Sequence, residues 1–319
     1  MIKMIKSRQN QIIFQLCTIL VIVAMVMAAE LTGENEIIFP EVAALAIGSF
    51  LTPKLFWKTS YIRMILSIQL CAIFGVLIVR FVPFPLWTQV AIAYAIGQVI
   101  FLCSRTTLAP MISAIVLPVL LQTDSVIYLI SAFLLTTAIV CLRKLLEQRH
   151  LKEVNSYEIQ PLPEKRTLIA AVFRVIFVAL FAAVCLKLDL MFCLAPPLLV
   201  AFTELTNKKC PAGKRRFEVI ILVTLCAMAG VICRYFIHMQ LGFPLTVAAL
   251  ITTILIILLV QSFRLYFPPA GAMGILAMLI SESAVSLYTL QVFTGISVLT
   301  VISLFWTVFD TARETIVSD

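Results

Sequence analysis

The chain has 319 residues, 62% of them hydrophobic and 13% charged, with a mean hydropathy of +1.10. A soluble protein of this length has no interior large enough for so much apolar surface, so the expected solvent is lipid. The net charge of +8 would suggest nucleic acid in a soluble chain, but topology accounts for it here and no nucleic-acid partner is expected.

Lys3, Lys6 and Arg8 precede "QIIFQLCTILVIVAMVMAAE", an apolar stretch of the length of a full span rather than of a short signal core. Further apolar segments lie near residues 37–52, 61–79, 86–103, 108–122 and 125–142. A charged stretch, "RKLLEQRHLKEVNSYEIQPLPEKR", follows, and then six more segments near 167–187, 189–203, 217–236, 243–261, 267–280 and 286–308. In each half the lengths run long, short, long, long, short, long. A span needs about 20 apolar residues, so the short segments cross only if they tilt little or if lipid does not surround them.

The expected fold is all-α: a polytopic membrane bundle of about 12 hydrophobic segments, four of them short and headed by proline. Residues 1–143 form a first membrane repeat, 144–166 a cytoplasmic linker and 167–319 a second repeat. With the N-terminus inside, all but four of the 24 lysines and arginines fall on the cytoplasmic side, the exceptions being Arg80, Arg174, Lys187 and Arg234. This charge asymmetry predicts a multi-pass protein of the cell (inner) membrane with both termini cytoplasmic.

The halves read as copies. "LCAIFGV" from Leu70 matches "LCAMAGV" from Leu225, and "FPL" from Phe84 matches "FPL" from Phe243. At that same offset Arg105 meets Arg264 and Pro110 meets Pro269, while Pro40 aligns more loosely with Pro196. Six segments per half keep the two copies parallel, with their pseudo-twofold along the membrane normal.

Proline suits the first turn of a helix, where its missing N–H has no intrahelical partner. Pro110, Pro268, Pro269, Pro40 and the pair Pro196–Pro197 therefore predict helix starts, and Gly271 lets a neighbour or a ligand approach the backbone closely. Short, proline-interrupted segments at matching positions of two repeats point to a transporter's central site, although small residues and prolines also serve plain helix packing. Ionisable residues within the apolar segments are few. Arg105 and Arg264, which precede the fifth and eleventh segments, are candidates for drawing in an anion or for anchoring the topology. Glu41 is a candidate coupling or gating carboxylate. Arg174 could serve an anion or snorkel to the surface, and Glu204 and Glu282 are weaker candidates. The nine cysteines lie in or beside apolar runs, Cys210 excepted, and the two histidines are far apart. Neither a structural disulfide nor a metal or other cofactor is expected.

At "FPPAGA", Phe267 to Ala272, the chain resembles the HPP family of integral membrane proteins, named for a His-Pro-Pro signature followed by Ala-Gly-Ala. The resemblance covers roughly Thr167 to Phe309, with a more diverged copy in the first half. It implies membrane transport, nitrite being a substrate proposed within the family. Phe267 stands where the signature has histidine, so a role that needs an imidazole does not carry over.

The expected function is a transporter or channel for a small-molecule or inorganic anion, with its site at Arg264, Pro268, Pro269, Gly271, Arg105, Pro110, Glu41, Pro196 and Pro197. The alternatives are a membrane scaffold, or an efflux carrier for organic or aromatic acids. The expected partners are the lipid bilayer and the solute, with a homo-oligomer left open. An enzyme is not expected, because the apolar segments carry no paired aspartates and no Ser–Lys or Ser–His arrangement.

Overall fold

A computed structural model describes residues 2–157 and 159–318, and the side chains of residues 9–157 and 159–311. Lys3, Lys6 and Arg8 thus lie outside the described side chains. Among the described residues there are twelve α-helices and no strand. Eight helices contain stretches long and apolar enough to cross a membrane. They are α1 (Ile2–Thr32), α3 (Tyr61–Phe81), α4 (Leu86–Cys103), α6 (Val126–Gln148), α7 (Lys165–Lys187), α9 (Arg216–Cys233, continued by a π-helical turn to Gln240), α10 (Leu245–Phe263) and α12 (Val285–Ser318). The other four are α2 (Glu41–Ala46, continued by a π-helical turn to Leu51), α5 (Pro110–Leu121), α8 (Pro196–Leu205) and α11 (Pro268–Leu276).

The two sets differ in what surrounds them. The long helices turn leucine, isoleucine and phenylalanine outward; Leu16, Ile62, Leu180 and Phe305 all stand exposed. Such a surface suits acyl chains and would be costly in water. The short helices expose almost nothing. Every residue of Glu41–Phe50, Pro110–Leu120, Pro196–Leu205 and Pro268–Leu276 is buried. At 1.5 Å per residue, twelve residues reach about 18 Å, well short of a hydrocarbon core of about 30 Å. Lipid does not surround these helices, and that is why they can be short.

Helix ends follow the local chemistry. Ser60 and Ser125 cap α3 and α6, accepting from Arg63 N at 3.3 Å and Ile127 N at 3.1 Å. Pro244 precedes α10, whose first free donors are met by another helix: the Glu30 carboxylate of α1 accepts from Leu245 N at 2.7 Å and Thr246 N at 3.1 Å.

Within residues 41–148, α3 packs on α4, α5 and α6, and α4 on α5; within 165–318, α9 packs on α10, α11 and α12, and α10 on α11. Other contacts tie these stretches together. Helix α1 lies on α10 and α4 on α7, while α2 meets α11 and α5 meets α8. Because α2 also touches α5, and α8 touches α11, the four short helices close a ring at the centre of the bundle.

The stretch expected as a linker, 144–166, is helical at both ends, since α6 runs on to Gln148 and α7 starts at Lys165. Between them the chain is fastened to the first half. Lys152 Nζ donates to Thr52 O at 2.7 Å, Asn155 to Thr59 O at 2.8 Å and Tyr157 Oη to Arg105 O at 2.6 Å. Buried Arg143 pairs with Glu147 at 3.0 Å and donates to the Ser49 and Glu153 carbonyls. The guanidinium thus anchors the end of α2 to α6.

Candidate functional site: the ring of short helices

The first turns of the four short helices converge on one small cavity. It is lined by Glu41 and Ala44 of α2, Pro110 and Ser113 of α5, Pro197 and Val200 of α8, and Pro269 and Ala272 of α11. Each helix contributes a pair at i, i+3, the spacing that places two side chains on one helical face. The space is about 10 Å³, room for a single water molecule.

The backbone explains why this junction offers few hydrogen-bond donors yet is electrostatically biased. Four helix N-termini point their positive dipole ends toward the cavity. The prolines at 110, 196, 197, 268 and 269 remove N–H donors that would otherwise be orphaned there. Several remaining donors are taken up by tight turns: Val42 N to Phe39 O, Ile112 N to Ala109 O, Leu198 N to Ala195 O and Ala270 N to Phe267 O, at 2.8–3.0 Å. The result is a positive potential with few free donors, which suits a carboxylate already in place better than an incoming anion that needs hydrogen bonds.

Glu41 is that carboxylate. It is 1% exposed and is the only ionisable group among the lining residues. Its Oε1 accepts a hydrogen bond from Ser113 Oγ of α5, and its Oε2 is buried without a partner. The helix N-termini around it suit a negative group at this place.

Of the candidates read from the sequence, the structure brings Glu41, Pro110, Pro197 and Pro269 to the cavity. Pro196 and Pro268 open their helices one residue earlier. Gly271 faces α2, where a Cβ would strike the tip of Ile47; it lets α11 close against α2. The two arginines are not among the lining residues. Arg105 and Arg264 hold matching left-handed backbone positions, φ 52° and 49°, just after α4 and at the end of α10. Arg264 is exposed, and its carbonyl accepts from Arg215 Nη1 at 3.1 Å. Both sit where a cation favours a helix C-terminus, which gives them a capping place rather than a cavity one.

Arg174 does not snorkel. It is 4% exposed and is held between α4 and α8, donating to Gln98 Oε1 at 2.8 and 3.1 Å and to Thr206 Oγ1 at 3.1 Å. Gln98 and Tyr94 reach Thr203 at 3.1 and 2.8 Å, completing a polar contact between α4, α7 and α8. Glu282, in a one-turn 3₁₀ segment before α12, is exposed. Ser113 was not among the expected site residues; its signal was its place three residues after Pro110. Among the described residues no group of three His, Cys, Asp or Glu side chains could hold a metal ion. Comparison with family models, curated proteins and solved structures finds no match to this chain.

Proposed function

We propose that the protein is a multi-pass carrier of the cell membrane that moves a small solute in exchange or in symport with protons, with Glu41 as the proton-binding residue. The observation that carries this reading is a buried carboxyl, unpartnered at Oε2, lining the one place where four broken helices meet. Irregular backbone at membrane depth is tolerated where it is enclosed by protein or borders a watery path, and an intramembrane acid with no cation partner is a common mark of a proton route. In the closed arrangement the cavity holds one water at most. Parting the ring toward one side would wet Glu41 and release its proton there; closing it and parting it toward the other side would complete the cycle. The expectation of an anionic solute loses support, because the lining carries a carboxyl and no cation.

The same proposal includes twelve membrane segments in two parallel repeats, with both termini cytoplasmic. Helix contacts support the repeat, since α1 on α10 and α2 on α11 correspond to α7 on α4 and α8 on α5 under a shift of six helices. Side chains agree: Tyr128 Oη donates to Ala114 O of α5 at 2.8 Å, and Tyr288 Oη to Met273 O of α11 at 2.7 Å. The two rings stack edge-on against Phe39 and Phe192, with centroids at 5.8 and 5.2 Å. A relation to the HPP family, carried on Phe267 to Ala272, belongs to the proposal too.

The test is a panel of small anions, cations and organic acids screened for thermal stabilisation of wild type, Glu41→Gln and Ser113→Ala. A solute that stabilises wild type and neither variant supports a binding site at the ring. If every stabilising solute acts alike on all three proteins, the ring is a packing device and the scaffold reading takes its place.

A further inference from the structure

The cavity is not the only place where a carboxyl is buried without a full set of partners. Helix α8 presents Pro197 and Val200 to the cavity, and Glu204 follows one turn later, at i+4 from Val200, a rise of about 6 Å along the helix. It therefore continues the cavity-facing stripe toward the end of the bundle that carries the loops at 52–60 and 206–215. Glu204 is buried. Its Oε1 accepts from Trp57 Nε1 at 3.3 Å, and its Oε2 has neither partner nor solvent.

Trp57 comes from the loop between α2 and α3 and is 2% exposed. Its ring covers Gly48, where a Cβ would lie 2.6 Å from Cζ3, so the indole closes over the end of α2 and bridges it to α8. A tryptophan N–H can only donate, and it satisfies one oxygen of a carboxyl in either protonation state. Among the described residues no cation pairs with Glu204. Helices α5 and α11, both packed on α8, contain no ionisable residue. Asp310 of α12 is paired with Arg166 at 2.6 Å and Lys208 at 3.2 Å. In the 3₁₀ turn before α8, Cys193 donates to Gln291 O at 3.1 Å. Arg174 bonds to Gln98 and Thr206. Beyond α8, burial and the neighbouring Glu204 push the Cys210 thiol up to about 11, and Arg216 donates to Gly213 O, to Thr307 Oγ1 at 3.0 Å and to Leu205 O at 3.4 Å.

We infer that Glu204 is a second proton-binding residue on the same route, standing between the central cavity and the loop side of the bundle with Trp57 as its cover, an inference that rests on the transport reading of Glu41. When Glu41 is ionised and water enters the cavity, a proton leaves Glu204 Oε2, passes through that water and protonates Glu41. The Glu204 carboxylate is then reprotonated from the loop side once the indole moves aside. One proton enters for each proton delivered, and no other reactant is needed.

Trp57 makes this measurable without knowing the solute. In the full-length protein carrying Trp87→Phe and Trp306→Phe, Trp57 is the sole tryptophan, and its emission is followed across a pH series in lipid nanodiscs. The expected result is a single-proton curve that is lost in Glu204→Gln and kept in Glu41→Gln. A flat trace, or a curve that survives Glu204→Gln, overturns the inference. A second measurement avoids the variant altogether. A hydrophobic carbodiimide attacks protonated buried carboxyls, and peptide mass mapping should find an adduct on Glu204 that declines as pH rises. No adduct at any pH overturns the inference equally. The two readings fail differently. Glu41-dependent proton flux beside a flat Trp57 trace sinks the Glu204 site alone, whereas a Glu204-dependent trace in a protein whose flux ignores Glu41 sinks the transport reading.

Discussion

Gly75 of α3 is one of the positions where packing against the ring leaves no room for a side chain. A Cβ placed there would lie 2.5 Å from Pro118 Cγ, 2.6 Å from Ile115 O and 3.2 Å from Ile115 C. Optimal non-bonded separations are about 3.5 Å, so α3 and α5 would have to part by roughly 0.9 Å. Two of the three obstacles are backbone atoms and cannot rotate away. Two effects compete in Gly75→Ala. Alanine gains about 1 kcal/mol of helix propensity over glycine, while overpacking of this kind costs about 1–3 kcal/mol. The backbone clash should win, leaving the variant less stable by up to about 2 kcal/mol. Gly97 of α4 is the internal control. Its nearest obstacle is a side-chain methyl of Ile115 at 3.0 Å, with the next atoms at 3.7 and 3.8 Å, so Gly97→Ala should be neutral or slightly stabilising. The assay is thermal unfolding in detergent, read by a fluorogenic maleimide that reacts as buried cysteines such as Cys71 and Cys226 become accessible. Equal melting temperatures for Gly75→Ala and Gly97→Ala would refute the claim that the α3–α5 contact is set at backbone distance.

The buried tyrosines and the fastened loop give two more expectations. Tyr128→Phe and Tyr288→Phe each remove one buried hydrogen bond to a short helix, so each should cost about 1 kcal/mol. In the same unfolding assay the double variant should show the sum, because the bonds lie in different halves. Lys152 is 8% exposed, and burial followed by the Arg143 guanidinium pushes its pKa down to about 7. The sign is opposite to that of a paired lysine. Between about pH 7 and pH 10 the unfolded chain holds a proton that the folded chain has lost, so stability should rise with pH across that window. A pH series of denaturation midpoints should show the rise in wild type and lose it in Lys152→Met.

Much of the architecture is legible in the sequence because lipid imposes a simple rule: long apolar runs have to be outer helices and short proline-headed runs have to be enclosed. Pro110, Pro196 and Pro268 mark first helical residues directly, since proline at that position is a local signal. Glu41 stands out for the same reason, as an acid at a helix start. What stays hidden is non-local. Arg105 and Arg264 read as site residues because they come a few positions before Pro110 and Pro268, but a left-handed residue lies between each long helix and the next short one, and chain proximity does not become cavity proximity. Arg174 is able to snorkel on a single helix, and only its partners on α4 and α8 keep it inside. Glu204 is a weak candidate near the end of a segment, yet α8 is enclosed over its whole length, and Trp57 reaches it across 147 positions of sequence.

The central claim is that Glu41 carries a proton through the ring, and proton flux in reconstituted liposomes tests it most directly. An internal pH dye would be followed after a solute gradient is imposed, with wild type beside Glu41→Gln. Solute-driven proton movement by wild type that is lost in Glu41→Gln, while that variant still forms the same folded bundle by size exclusion and melting, is the result predicted here. Flux that is equal in the two proteins, or absent from wild type for every solute tried, would contradict it.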